Sequence, residues 1–314
     1  MNIHTLRVPT PFPIGPVNLF LIEADPLTLI DTGPNIDEAF DSLNEQLDRL
    51  KLRIEQIRRV IITHAHEDHA GLAARIQQMS GAAVCVHPWD APRLTGEQRF
   101  LVGHQLLRRA GVPADALEQM QQRREYHRRL MQPVTDIQLL REGDEISFAS
   151  ESWRVLHTPG HTPGHLCLWH EGKRLLIGGD TILKRVSPNP IINPDPRNPE
   201  RRFPSLAMYL DTLARLRDLG PTRVHTGHGE DVNDMQAYYT ASLHHARQRQ
   251  ARLLELFPPQ AATAWELSFR LFPEAREEQR FLALSETSAH LDWATEQGKL
   301  KRDEQDGIDY YLRI

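Results

Sequence analysis

The segment Thr63-His64-Ala65-His66-Glu67-Asp68-His69 constrains this chain more than any other. The apolar run Arg59-Val-Ile-Ile-Thr-His before it reads as a buried strand, and the stretch from His69 to Gly81 reads as a helix. Three imidazoles and a carboxylate therefore crowd one strand-to-helix corner. These are the ligand types that zinc and similar divalent ions take. The His-x-His spacing lets two imidazoles converge on one ion, while Asp68 and His69, displaced along the turn, can address a second.

Three later segments each place a ligand type directly after a predicted strand: Thr158-Pro-Gly-His161-Thr-Pro-Gly-His165, Gly178-Gly-Asp180-Thr and His225-Thr-Gly-His228-Gly. Glycine in these loops permits close backbone approach. An earlier strand, Leu27 to Asp31, ends in the turn Asp31-Thr-Gly-Pro. A purely structural metal site would be rich in cysteine and closed. The two cysteines, Cys85 and Cys167, lie in apolar runs outside these motifs and read as buried, reduced thiols. His87, His157 and His225 sit at strand ends as structural or near-site residues, and His244-His245 reads as a solvated helix face.

An early Asp, then His-x-His-x-Asp-His, then single His, Asp and His residues in that order resembles the metallo-β-lactamase superfamily, across about residues 15–235. The resemblance implies an α/β (α+β) chain folded as a four-layer αβ/βα sandwich. It also implies a hydrolase with two divalent metal ions, zinc first, iron or manganese as alternatives. By position, His64, His66 and His161 would hold the first ion, Asp68, His69 and His228 the second, and Asp180 would bridge both. Asp31 would orient the site from outside, with His165 a hydrogen-bonding neighbour. A bridging hydroxide would be the nucleophile, and Asp68, the catalytic candidate, would help position or deprotonate that water.

The segment between Pro92 and Pro133 has a different texture, helical and bearing Arg108, Arg109, Arg123, Arg124, Arg128 and Arg129. It reads either as a cap whose arginines pair with phosphates or carboxylates, or as a solvated helical face. The loop 189–204, rich in proline and asparagine, is a candidate wall of the cleft, with Arg197, Arg201 and Arg202 as candidate substrate-binding residues. After a catalytic domain over 1–240, three helices and a hairpin over 248–314 have the order of a winged-helix module. A catalytic domain with such a tail is similar to the group containing β-lactamase-like protein 2 and thioesterases acting on carrier-protein or coenzyme A esters. The Thr-Pro-Gly-His-Thr-x-Gly-His segment is shared with hydroxyacylglutathione hydrolases (glyoxalase II-like), whose basic C-terminal region has no counterpart here.

The expected substrate is a thioester or ester of a small or carrier-linked acyl group. Cleavage of single-stranded RNA is the alternative, and a metal-binding regulatory protein the third reading. The helix expected over 277–297 is acidic and the net charge is -5, so DNA reading is not expected; packing or homodimer formation suits that helix better. No run of about 18 apolar residues occurs, and the start lacks a secretory pattern, which makes a cytoplasmic location the default and a membrane partner unexpected.

Overall fold

The computed structural model describes residues 1–97, 100–184 and 190–314, without the side chains of residues 100–102 and 124. Six strands form the first sheet in chain order: β1 (Asn2–Val8), β2 (Val17–Glu23), β3 (Thr28–Ile30), β4 (Arg59–Ile61), β5 (Ala83–Val86) and β6 (Ile137–Leu139). β1 to β3 pair antiparallel, and β3 to β6 parallel. The parallel half requires crossovers, three of which carry α1 (Asp37–Arg49), α2 (Glu67–Ala70), α3 (Ala73–Ser80) and α4 (Ala91–Leu94). The last crossover also holds α5 (Phe100–Arg109) and α6 (Ala114–Arg128).

The second half of the chain supplies β7 (Glu145–Phe148), β8 (Glu151–His157), β9 (Leu166–His170), β10 (Leu175–Gly179), a small β11 (Pro194–Asp195)–β12 (Asn198–Arg202) ribbon, α7 (Ser205–Leu219) and β13 (Arg223–Thr226). The second sheet runs β13-β10-β9-β8-β7.

Side-chain alternation along the strands stacks these sheets into layers. In β2, Leu19 and Leu21 face helices, joining Ala39, Leu43 and Leu47 of α1 and Ile76 of α3. Phe20 and Ile22 point the other way, meeting Phe148, Trp153, Val155 and Leu168 of the second sheet. On that sheet's far face, Cys167, Trp169, Leu176 and Val224 pack on Tyr209, Leu213 and Leu216 of α7. Because β2 lies between a helix layer and a sheet, six of its seven residues are buried. The result is the expected four-layer sandwich.

The expected helix from His69 to Gly81 is broken in two. Gly71 lies where a β-carbon would come 2.4 Å from the Leu130 carbonyl and 2.5 Å from the Asn35 nitrogen, so the chain turns there against neighbouring backbone. Of the expected loop 189–204, Asn189 lies outside the described residues, and 194–202 form β11 and β12.

The C-terminal part comprises α8 (Met235–Glu255), β14 (Ala262–Thr263), α9 (Ala264–Leu271), α10 (Arg280–Glu296), β15 (Leu300–Gln305) and β16 (Ile308–Arg313), with sheet order β14-β16-β15. β15 and β16 meet at Asp306-Gly307, both at positive φ (52° and 77°), the backbone a two-residue hairpin needs. The expected break between 240 and 248 falls inside α8. Asp234 caps this helix by accepting the Ala237 N–H, Met235 belongs to the second sheet's outer core and Leu253 to the C-terminal one. That C-terminal core takes in Leu106, Leu107, Ala110, Leu117 and Met120 of the α5–α6 region beside Leu267, Leu284, Leu291 and Tyr311. The insertion is therefore packed by its apolar side into the C-terminal module, while Arg108, Arg123, Arg128 and Arg129 stay on its exposed face. Arg109 pairs with Asp309 and Arg123 with Glu277 across this contact; the Arg124 side chain lies outside the described residues.

Buried His290 in α10 predicts an acid limit on stability. Its Nδ1 lies 2.9 Å from the Gln250 Oε1, and burial pushes its pKa down to about 3. The native imidazole stays neutral while the unfolded one takes a proton near pH ~6.5. The unfolded state thus binds more protons, and stability falls as pH drops from about 6.5 toward 3, by at most about 1.4 kcal/mol per pH unit. Thermal melts of His290→Gln are expected to show a shallower decline over this range than wild type; parallel curves would refute it.

Candidate metal centre

The ligand-type residues gather beyond the carboxyl ends of β3, β4, β8, β10 and β13, where open α/β sheets form their crevices. The two sheets are tied at this end: Asn18 at the start of β2 donates through its backbone to the Gly227 carbonyl (2.7 Å) and through Nδ2 to the Thr226 carbonyl (2.9 Å).

His64, His66 and His161 form one group of converging ligand atoms, His64, His69 and Asp180 a second, and Asp68, His69 and His228 a third. The His66 Nδ1 lies 2.9 Å from His64 Nε2 and 3.0 Å from His161 Nε2. One ring nitrogen carries at most one proton, so it cannot hydrogen-bond as donor to both; the three converge as a cation would gather them. Opposite them, His69 Nε2 is 3.3 Å from Asp180 Oδ1, and His228 Nε2 is 3.3 Å from Asp68 Oδ2. Asp180 Oδ2 stands 3.8 Å from both His161 Nε2 and His228 Nε2. His69 Nε2, His228 Nε2 and Asp180 Oδ1 are buried and form no hydrogen bond among the described residues. Buried polar atoms left so are rare and call for an explanation. A divalent ion meets that requirement, and the all-imidazole and carboxylate donor set fits one.

The surroundings orient these atoms. His69 Nδ1 donates to Asp31 Oδ2 (2.8 Å), and His228 Nδ1 to the Pro16 carbonyl (2.9 Å), which turns each Nε2 inward. Asp31 also accepts the Thr63 N–H and hydroxyl, both at 2.8 Å. It does so from φ 58°, a left-handed backbone that a non-glycine residue holds only when its surroundings fix it. His165 does not join the converging groups. Its Nε2 accepts the Asp180 N–H (3.1 Å) and its Nδ1 lies near the Thr158 and Thr181 hydroxyls. Gly227 leaves the necessary room: a β-carbon there would stand 2.2 Å from Asp180 Oδ1.

Charge divides the cluster. Burial, reinforced by neighbouring imidazoles, holds His64 and His66 well below the usual histidine pKa, so both are neutral and ready as ligands. Burial also opposes charge on His69 and His228, but the carboxylates of Asp180, Asp31 and Asp68 overcome it for His69, and Asp180 and Asp68 for His228. Asp180 is held well below the carboxylate range despite its burial, by His69, His228 and His161, and His69 and His228 likewise lower Asp68.

Of the three arginines expected to meet substrate, Arg202 is a correction. Its side chain is 4% exposed and forms a bidentate pair with Asp292 (3.0 and 2.7 Å), with Asp309 beyond. Arg197 is half exposed but pairs with Asp195 at 2.8 Å, its guanidinium 5.9 Å from the Trp89 ring centre. Arg201 is exposed on β12. Sequence reasoning missed Asp90 altogether. A lone aspartate in His-Pro-Trp-Asp-Ala-Pro gives a turn signal and nothing more, yet this buried carboxylate accepts from Ala65, Thr162 and Gly164. His87 and His157 stack on each other, centroids 4.0 Å apart, beside Trp89, and His225 pairs with Asp231.

Comparison with known proteins agrees with this architecture. A family model of the metallo-beta-lactamase superfamily matches residues 13–228. The Bacillus subtilis (strain 168) protein named "Probable metallo-hydrolase YqjP" is 35% identical over 93% of this chain and 91% of its own length. A Drosophila melanogaster "Beta-lactamase-like protein 2 homolog" is 24% identical over 90% of this chain and 83% of its own. The crystal structure of metallo-beta-lactamase family protein TTHA1429 from Thermus thermophilus superposes with a TM-score of 0.83 at 29% identity, covering 99% of this chain and 98% of that one. With a family model matched over most of its length, a relative 35% identical along nearly the whole chain and a fold shared from end to end, the chain belongs to the metallo-β-lactamase superfamily, as one of its metallo-hydrolases.

Proposed function

We propose that this hydrolase cleaves a thioester or ester of a small or carrier-linked acyl group, at a centre of two divalent ions with zinc as the native metal. His64, His66 and His161 would hold one ion, Asp68, His69 and His228 the other, and Asp180 both. The observation that carries the two-ion reading is the inward set of buried, unbonded atoms on His69, His228 and Asp180. When bound, such ions supply Lewis acidity and a water that ionises near pH ~7. The chain's own part is to fix geometry: Asp31 and the Pro16 carbonyl set the tautomers of His69 and His228, and Asp68 stands at the edge of the cluster to orient the attacking water.

The acyl substrate is favoured over RNA by the state of four of the arginines singled out in the sequence. Arg109, Arg123, Arg197 and Arg202 are each already paired with a carboxylate, and the net charge is -5. A phosphate backbone would need uncommitted cations along its track. In this reading the C-terminal module packs against the insertion and reads no nucleic acid. The test is turnover by the zinc-loaded chain of a panel of acyl-thioesters and esters beside a labelled single-stranded RNA. Thioester or ester hydrolysis with the RNA intact supports the proposal. RNA cleavage that weakens steeply with salt would put the nuclease reading in its place.

A further inference from the structure

We infer that Asp90, with Arg93 one helical turn on, is the positioning residue that fixes the spacing between the two arms of the first metal site. The inference rests on the two-ion reading above. One arm is the His64–His66 corner after β4, and the other is the His161 loop between β8 and β9. They come from different sheets, and each is a loop free of regular backbone pairing at the ligands themselves. Asp90 stands between them. Its Oδ2 accepts the backbone N–H of Ala65 (2.9 Å), the residue between His64 and His66. The same oxygen accepts the hydroxyl of Thr162 (3.0 Å), next to His161, and Oδ1 accepts the Gly164 N–H (2.8 Å).

The fit leaves no slack. A β-carbon at Gly164 would come 2.4 Å from the Asp90 Oδ1, so the loop can approach only as glycine. Arg93 adds a fourth fixed point, its Nη2 2.6 Å from the Oε1 of Glu67, the residue after His66. One short segment thus grips the His-x-His corner at Ala65 and Glu67 and the facing loop at Thr162 and Gly164. Asp90 is 5% exposed. It acts through the ligands' positions, as outer partners of metal ligands do, and removing such partners costs about 10–100-fold in metal affinity.

The test reads each ion separately, by competition of zinc against a colorimetric chelator. His228→Ala disables the second site, so comparing it with His228→Ala/Asp90→Ala reports on the first. His64→Ala compared with His64→Ala/Asp90→Ala reports on the second. The expected result is a loss of about 10–100-fold at the first site and unchanged affinity at the second. Unchanged affinity at the first site, or equal losses at both, would overturn the inference. A wild-type chain holding fewer than two zinc ions would instead sink the two-ion reading, and this inference with it. Should Asp90→Ala fail to fold, the same comparisons with Asp90→Asn decide, since the amide keeps the shape and one acceptor oxygen.

Discussion

Asp180→Ala is expected to lower turnover by on the order of 10³-fold or more while the chain stays folded. A metal centre supplies several kcal/mol of transition-state stabilisation, and each 1.4 kcal/mol or so is tenfold in rate. Among the described residues, Asp180 is the carboxylate whose oxygens face both halves of the cluster, His161 on one side, His69 and His228 on the other. Removing it takes away a donor from each group and leaves His69 and His228 with one fewer negative neighbour. Bound metal should therefore fall below two ions per chain by elemental analysis. Asp180→Asn retains the volume and one oxygen but not the charge, and should lie between wild type and alanine. Circular dichroism separates this from collapse, because Asp180 sits in a loop after β10 and contributes no strand pairing. Full metal content with undiminished turnover in Asp180→Ala would remove the basis of the two-ion proposal.

The metal cluster was legible in the sequence because ligand chemistry is written in short local patterns. Each strand-end motif names its own residue type, and neither the partner nor the distance is needed to suspect it. The four-layer order was legible only through the family resemblance that those motifs carry, since strands and helices read one by one do not say how their layers stack. What escaped was settled by contacts between distant residues. β1 carries the mixed run Asn-Ile-His-Thr-Leu-Arg-Val, with two of its seven residues buried, and is a sheet edge whose pattern is too polar to stand out. Asp90 is recognised only by amides and a hydroxyl 25 to 74 positions away. The reading of Arg202 as a substrate contact failed for the same reason: its partners arrive 90 and 109 residues later, on α10 and β16. A boundary near 240–248 looked reasonable from a change of pattern, whereas α8 carries one buried end into each core.

Arg202→Met is expected to be the most destabilising single substitution of a charged side chain outside the metal cluster. The guanidinium donates through Nε and Nη2 to both oxygens of Asp292, and Nη2 also donates to the Tyr311 hydroxyl. Asp309, 3% exposed, faces Nη1 at 3.5 Å and takes a second cation from Arg109 at 2.9 Å. Removing one member of a buried network strands the rest, at a cost of about 3–5 kcal/mol. For a chain of this size that corresponds to a fall in melting temperature on the order of 10 °C. Arg202→Met/Asp292→Leu should recover most of it, because it removes the stranded carboxylate with its partner and leaves Asp309 paired to Arg109. Kinetics on the folded fraction distinguish this structural role from substrate binding. A substrate contact would raise KM in both variants with little change in melting temperature, whereas the buried network predicts a large thermal shift, its reversal in the double variant, and KM near wild type.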